Sequence, residues 1–298
     1  MTTSKKPQPP KAIRRVYLVY KRSVYQKFVL DEKDPGAKRF LRDKNNLIHS
    51  MKKIHAAHYK FIREIEAYVH KLGVEYKTGF RHDENDFKDF DLIITVGGDG
   101  TFLRTAHHLQ DQLIMGVNSL TRVSVGALCS ITHKNYKARL KKIFSGEYKT
   151  RALPLIKIRI NGKPVRFEAL NDVLVTNYSP AATSRYILQI DGIREEHKSS
   201  GVWIATATGS TAAINAAGGL KMNREDLRLQ FMTREPYQGI YNPYRLTRGF
   251  IKKGKSLKII NKMFNARLFI DGPTTSYKLN IGDKITFELS KRALKVVV

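Results

Sequence analysis

The stretch that most constrains the fold is Asp91 to Val96, Asp-Leu-Ile-Ile-Thr-Val, which runs directly into Gly97-Gly98-Asp99-Gly100-Thr101. A near-continuous apolar run of this length reads as a strand buried on both faces, as in a parallel sheet. The glycines end it, and a helix is expected from Thr101. Strand, glycine-rich turn and helix place the turn at the carboxyl edge of an open α/β sheet, where ligands of such folds bind.

The flanking chain agrees. Val16 to Tyr20 is a short β-branched and aromatic run that predicts a first strand. Leu47, Met51, Ile54, Phe61, Ile65 and Leu72 recur at helical spacing over Asn46 to Leu72, with Gly73 as C-terminal cap. Val74 to Tyr76 opens another strand, and Leu113 to Val117 a further one. Such alternation predicts an α/β domain.

The second half changes character. Short strands are expected at Leu155 to Ile160, Val165 to Ala169, Val173 to Thr176, Tyr186 to Ile190 and Val202 to Ala205. More follow at Ser256 to Ile260, Arg267 to Ile270, Lys284 to Leu289 and Leu294 to Val298, with a short helix at Thr211 to Ala217. Asn161-Gly162 and Asp191-Gly192 suit hairpin turns, since both residue types tolerate positive φ. The division falls near Glu147 to Leu153. It predicts an α/β domain over 1–148 and a β-rich domain over 149–298, with a cleft between them. The last residues are free to pack back on the first domain.

Each glycine of the first loop lets backbone N–H groups approach a phosphate closely, and the positive end of the following helix adds attraction. Asp99 is the odd member, because a carboxylate beside phosphates is unfavourable unless something offsets it. Three roles are open: it accepts or aligns the proton of an attacking hydroxyl, it holds magnesium through water, or it shapes a Gly-Asp-Gly turn.

Two later segments carry related chemistry. Thr206-Ala207-Thr208-Gly209-Ser210-Thr211-Ala212 is a hydroxyl-rich turn leading into small residues, suited to a nucleotide or simply to capping a helix. Asn171-Asp172 sets an amide beside a carboxylate; the carboxylate matches the paired hydroxyls of a ribose, and the pair also suits a plain turn.

Gly-Gly-Asp-Gly-Thr resembles a signature shared by NAD kinases, diacylglycerol- and sphingosine-type lipid kinases and phosphofructokinases. Followed by Asn171-Asp172 and Thr208-Gly209-Ser210-Thr211, it resembles the NAD kinase family, whose pattern is Gly-Gly-Asp-Gly-Thr, Asn-Glu, Thr-Gly-Ser-Thr. Asn118, in Gly116-Val117-Asn118-Ser119, stands where that family has a Gly-x-Asn-Thr-like element. The likeness runs from about Val16 to Asp271-Gly272. Lys198-Ser199-Ser200-Gly201, Val125 to Cys129 and Arg234-Glu235-Pro236 look like the divergent, mitochondrial-type branch. Ser200 stands where most bacterial members carry Asp, Ala213 where they carry Tyr, and Asp172 where the family has Glu.

The resemblance implies a Rossmann-like α/β N-terminal domain with a mostly parallel sheet and an all-β C-terminal sandwich. It implies phosphoryl transfer from ATP to the 2′-hydroxyl of the adenosine ribose of NAD, giving NADP, with Mg²⁺ or another divalent cation. Polyphosphate is an alternative donor in some members, and homodimers or homotetramers are usual. Carried over by motif, Asp99 is the catalytic residue. Gly97, Gly98, Gly100, Thr101, Asn118, Asn171, Asp172, Ser200, Thr208, Gly209, Ser210, Thr211 and Ala212 bind the nucleotides. No protein side chain is assigned to metal.

Composition bounds the rest. There are 54 Lys and Arg against 26 Asp and Glu, a net charge of +28, so the surface attracts anions without saying which. One reading of that charge is a nucleic-acid-binding protein with a vestigial kinase site; the intact loops argue against it. A lipid kinase is the other alternative, although Phe102-Leu103-Arg104-Thr105 does not continue the loop as those enzymes do. A single cysteine, Cys129, excludes an intramolecular disulfide and a cysteine-built metal site. The expected compartment is cytoplasmic, or the mitochondrial matrix in a eukaryote. Met1 to Pro10 is polar and reads as a tail, with a weaker mitochondrial-targeting reading beside it. No membrane association is expected.

Overall fold

In the computed structural model the described residues are 12–36, 46–121, 124–237 and 243–298. Met1 to Pro10 lies outside them, so neither reading of that tail meets a structure. The chain divides into two compact units, one reaching to Arg151 and including Lys295–Val298, the other Ala152–Leu294.

In the first unit, β1 (Arg15–Tyr20) leads to α1 (Asn46–Lys71) and β2 (Glu75–Phe80). Then come β3 (Leu92–Gly97), α2 (Asp99–Ala106), β4 (Leu113–Asn118), β5 (Ile131–Thr132) and α3 (Tyr136–Phe144). Pairing runs β2-β1-β3-β4-β5, all parallel. β3 is buried at all six positions, which is why its sequence is apolar throughout. Phe61, Ile62, Ile65 and Val69 of α1 share a core with Leu18, Ile94 and Val117. Gly73, at φ +70°, ends α1. α2 starts at Asp99, two residues before the expected Thr101.

Strand order fixes where this sheet opens. From β1 the chain moves outward to β2; from β3 it moves the other way to β4. The loops leaving β1 and β3 therefore flank the point where the winding reverses, the usual ligand crevice of such sheets.

The second unit is antiparallel. Its strands are β6 (Thr150–Ile160, entering from the first unit), β7 (Lys163–Pro164), β8 (Asp172–Asn177), β9 (Ser184–Ile190), β10 (Ile193–Ser199) and β11 (Val202–Ala205). A 3₁₀ turn, Gly209–Thr211, and α4 (Ala213–Ala216) follow. The rest are β12 (Leu229–Thr233), β13 (Arg248–Ile251), β14 (Ser256–Asn261), β15 (Ala266–Ile270), β16 (Thr275–Leu279) and β17 (Lys284–Val297). β13-β12-β11-β8-β15-β16 form one sheet; β10, β9, β14 and the start of β17 form the other face. Val173, Val202, Ile204, Phe231 and Leu268 from one face share a core with Tyr186, Leu188, Leu257 and Phe287 from the other, so this unit is a β-sandwich.

Several expectations are corrected. Val165 to Ala169 is not a strand; Ala169 makes one isolated bridge to Ile156. The charged Arg166 and Glu168 break that run, and Glu168 instead accepts from Ser290 Oγ at 2.7 Å and Arg292 Nε at 3.1 Å. The helix expected at Thr211 to Ala217 is a 3₁₀ turn and a single α-turn. The strands expected at Lys284 to Leu289 and Leu294 to Val298 merge into one 14-residue strand, β17, which ends at Val297.

Candidate active site

Two clusters gather the predicted residues, one in each unit. In the first, Gly97 ends β3 opposite Asn118 at the end of β4. The Asp99 carboxylate reaches the segment after β4, accepting the backbone N–H of Ala127 at 3.0 Å and of Leu128 at 2.8 Å. This tie to a neighbouring loop goes beyond shaping the Gly-Asp-Gly turn. Each carboxylate oxygen has two acceptor positions, so one per oxygen remains.

The loop itself is packed tightly. A Cβ on Gly116 would lie 2.6 Å from the carbonyl oxygen of Leu128, and Gly126, at φ +64°, sits against the Asn118 amide. That amide donates to the Ser124 carbonyl and accepts from the Leu120 N–H, each at 3.0 Å, so Asn118 organises the loop that follows it. Burial, helped by the negative charge of Asp99, pushes the Cys129 thiol up to about 12, so it is not a nucleophile at neutral pH. Thr101 is buried and its Oγ1 has no partner among the described residues. Gly98 is buried and Gly100 exposed.

His58 of α1 braces the same edge. Its Nδ1 lies 2.9 Å from Ser119 Oγ and its Nε2 2.9 Å from the Lys21 carbonyl. Burial lowers its pKa to about 4, so at neutral pH the ring is uncharged. Nε2–H then donates to Lys21 and Nδ1 accepts from Ser119. This tie joins the ends of β1 and β4, and periodicity alone reads His58 only as a core-facing residue.

The second cluster is held by Asp271, which follows β15 at φ +49°. Its carboxylate accepts three consecutive backbone N–H groups, from Leu170 at 2.8 Å, Asn171 at 2.7 Å and Asp172 at 3.1 Å. Thr206 completes the turn: its Oγ1 donates to the Leu170 carbonyl at 2.6 Å, and its N–H to the Asn171 carbonyl at 2.9 Å. A Cβ on Gly209 would overlap the backbone of Asn171, so only glycine fits there. The Asn171-Asp172 and Thr208–Thr211 segments are therefore in contact.

Within that contact Asn171 Oδ1 and Thr208 Oγ1 are buried without a partner among the described residues. Buried polar atoms are rarely left so, which suits a ligand that completes them. Ser210 is different: its Oγ donates to the Ala207 carbonyl at 2.7 Å and accepts from the Met222 N–H at 2.9 Å, so its hydroxyl serves the fold. Thr211 is exposed and Ala212 half-buried. Ser200 is half-buried, its N–H bonded to the Arg234 carbonyl at 3.0 Å. Burial, then the charge of Asp271, raises the Asp172 carboxyl to about 7. Among the described residues no three His, Cys, Asp or Glu side chains gather to hold a metal.

The profile of the ATP-NAD kinase N-terminal domain matches residues 28–148. The chain is 30% identical over 264 residues to a probable NADH kinase of Oryza sativa subsp. japonica, covering 81% of each chain. It is 31% identical over 271 residues to an NADH kinase of Arabidopsis thaliana, covering 83% of each. The chain belongs to the NAD kinase family. Within that family it is also 32% identical over 225 residues to an NAD kinase of Fusobacterium nucleatum, covering 72% of this chain and 79% of that one. Its likeness to plant NADH kinases fits the divergent branch. An NAD kinase from Archaeoglobus fulgidus solved in complex with ATP has the same fold, with a TM-score of 0.67, 23% identity, and coverage of 95% of this chain and 92% of that one. Family membership leaves no support for the lipid-kinase and nucleic-acid alternatives.

Proposed function

We propose that the chain phosphorylates the 2′-hydroxyl of the adenosine ribose of NAD, with ATP as donor, to give NADP. The carrying observation is an intact Gly97–Thr101 turn at the reversal point of a parallel sheet, in a member of the NAD kinase family. The ribose 2′-oxygen bonds to the terminal phosphorus, the bond from that phosphorus to its bridging oxygen breaks, and ADP leaves. Asp99 aligns the hydroxyl and takes its proton, which passes on to solvent.

Positioning and charge stabilisation carry such transfers. In this reading the Gly97–Gly100 turn, through its backbone N–H groups, and the Thr101 hydroxyl meet phosphate. Asn118 shapes the adjoining loop. Asn171 and Asp172 hold the adenosine ribose and base, with Thr208, Gly209, Ser210, Thr211 and Ala212 forming the wall beside them. Ser200 faces the nicotinamide half. Mg²⁺ would enter with the donor and neutralise charge on its phosphates.

The 2′-hydroxyl is remote from the nicotinamide ring, so NAD and NADH both qualify as acceptors, and the plant relatives favour including NADH. Polyphosphate is a second donor to compare, motivated by the net charge of +28. We take the protein to be a homodimer or homotetramer of a reducing compartment, the cytoplasm or mitochondrial matrix. No helix among the described residues is long and apolar enough to cross a membrane. The decisive experiment incubates the protein with NAD or NADH, ATP and Mg²⁺ and analyses the product by mass and by an NADP-specific dehydrogenase. Absence of a 2′-phosphorylated dinucleotide sinks the reading; light scattering reports the oligomer.

A further inference from the structure

Three cations meet at the edge of the first unit where β1, β2 and α2 converge. Lys21 follows β1, Arg81 follows β2, and Arg104 lies on α2. The Arg81 N–H donates to the Tyr20 carbonyl at 2.9 Å, and Arg104 Nε donates to the Arg81 carbonyl at 3.2 Å. Arg81 Nε donates to His82 Nε2 at 2.9 Å, which fixes the guanidinium and requires that ring nitrogen to be unprotonated. Arg81 Nη1 then stands 3.7 Å from where a Cβ on Gly100 would be. The fork is thus aimed along the open side of the Gly98–Gly100 turn.

All three side chains belong to half-buried residues, and among the described residues none meets a carboxylate. Their neighbours Arg22 and Lys27 do, at 3.6 Å from Asp31 and 3.8 Å from Glu32. Burial, then the charge of Arg81, lowers the Lys21 pKa; burial, then Arg104, lowers that of Arg81. Holding like charges together and partly out of water costs stability, and the cost is recovered when an anion completes the array. A guanidinium fork suits phosphate oxygens in particular.

We propose that Lys21, Arg81 and Arg104 form a cradle for the phosphate chain of the donor, with Arg81 beside Gly100 receiving the phosphates that leave. The direction of transfer rests on the kinase reading above; binding of the phosphate chain stands apart from it. The ligand chemistry is a run of three or more phosphates, whether attached to adenosine or inorganic.

The test titrates ATP, inorganic tripolyphosphate and AMP into the full chain and into Arg81→Gln, Arg81→Lys and Lys21→Met, with thermal unfolding measured alongside. Arg81→Gln should weaken ATP and tripolyphosphate alike by about ten- to a hundredfold, and the KM for ATP should rise with them. AMP binding and the KM for NAD should not change, and Arg81→Lys should recover part of the loss. Melting should not fall in Arg81→Gln, since a repulsive charge has gone; a purely structural arginine would lower it. Equal tripolyphosphate affinity in the parent and Arg81→Gln overturns the cradle, as does no tripolyphosphate binding at all. Loss of ATP binding alone also overturns it, by assigning Arg81 to the adenosine half. Arg81-dependent tripolyphosphate binding without NADP formation keeps the cradle and removes the kinase reading.

Discussion

The Asp271 carboxylate accepts the backbone N–H of Asn171 at 2.7 Å, and the same side chain also holds the N–H groups on either side. One acidic residue thus sets the conformation of the segment that presents Asn171 and Asp172. Asp271→Ala leaves three N–H groups to find other partners, and should lower stability by about 2–4 kcal/mol in urea unfolding. The KM for NAD should rise more than kcat falls, because the ribose-holding segment loses its frame. A variant as stable as the parent would remove Asp271 from this role.

Asp99→Asn should reduce kcat by at least about a hundredfold, the lower end for loss of a positioned base. The amide also sets an NH₂ group against the backbone N–H of Ala127 or Leu128 in place of an acceptor oxygen. A modest drop in melting temperature should accompany the loss of turnover. Near-parent turnover with a lowered melting temperature would reduce Asp99 to a loop anchor.

The Asp172 carboxyl, raised to about 7 by burial and the charge of Asp271, binds its proton more tightly in the folded chain than in the unfolded one. Its contribution to stability is therefore fully present below the unfolded carboxylate range, about pH 4, and is lost as pH rises through about 7. Asp172→Asn should stabilise the free protein near about pH 8, on the order of a few kcal/mol, and change little near about pH 4. NAD affinity should move the other way, strengthening as the carboxylate forms between about pH 6 and pH 8. Titration calorimetry of NAD at several pH values checks both, and Asp172→Asn should flatten the affinity profile.

Gly209→Ala should be poorly tolerated, because its Cβ would overlap the Asn171 backbone. A cost of about 2–3 kcal/mol is expected, with weakened NAD binding. By contrast, alanine at Gly162 or Gly254 meets no atom within 4 Å, so the penalty there should reflect only positive φ, about 1 kcal/mol. Equal denaturation midpoints for Gly209→Ala and Gly254→Ala would contradict the close approach.

Much of the fold is written locally. β3 is apolar at nearly every position because both its faces are covered, and α1 repeats its apolar residues because one face packs on the sheet. β12, β13 and β16 are harder to see. Gln230 in β12 is buried yet polar, with its side chain bonded to Leu220 at 2.7 and 2.8 Å, and β16 alternates about only one apolar end. Those strands form because neighbours pair with them, which no local pattern encodes. The motif glycines and hydroxyls were legible because their spacing is local. Asp271 was not: its partners are backbone groups, Asn171 lying 100 positions upstream, and an Asp-Gly dipeptide alone indicates only a turn. Arg81 and Lys21 were lost among 54 similar residues until the sheet placed them together.

β17 begins in the sandwich and finishes beside β4, where Val296 pairs with Ile114 and Val297 is fully buried in the α/β core. The first unit is therefore completed by residues far along the chain from the strand they join. Removing Lys295–Val298 would strip the β17 pairing from Ile114, leaving β4 held by β3 and β5, and would expose part of the α/β core that Val297 fills.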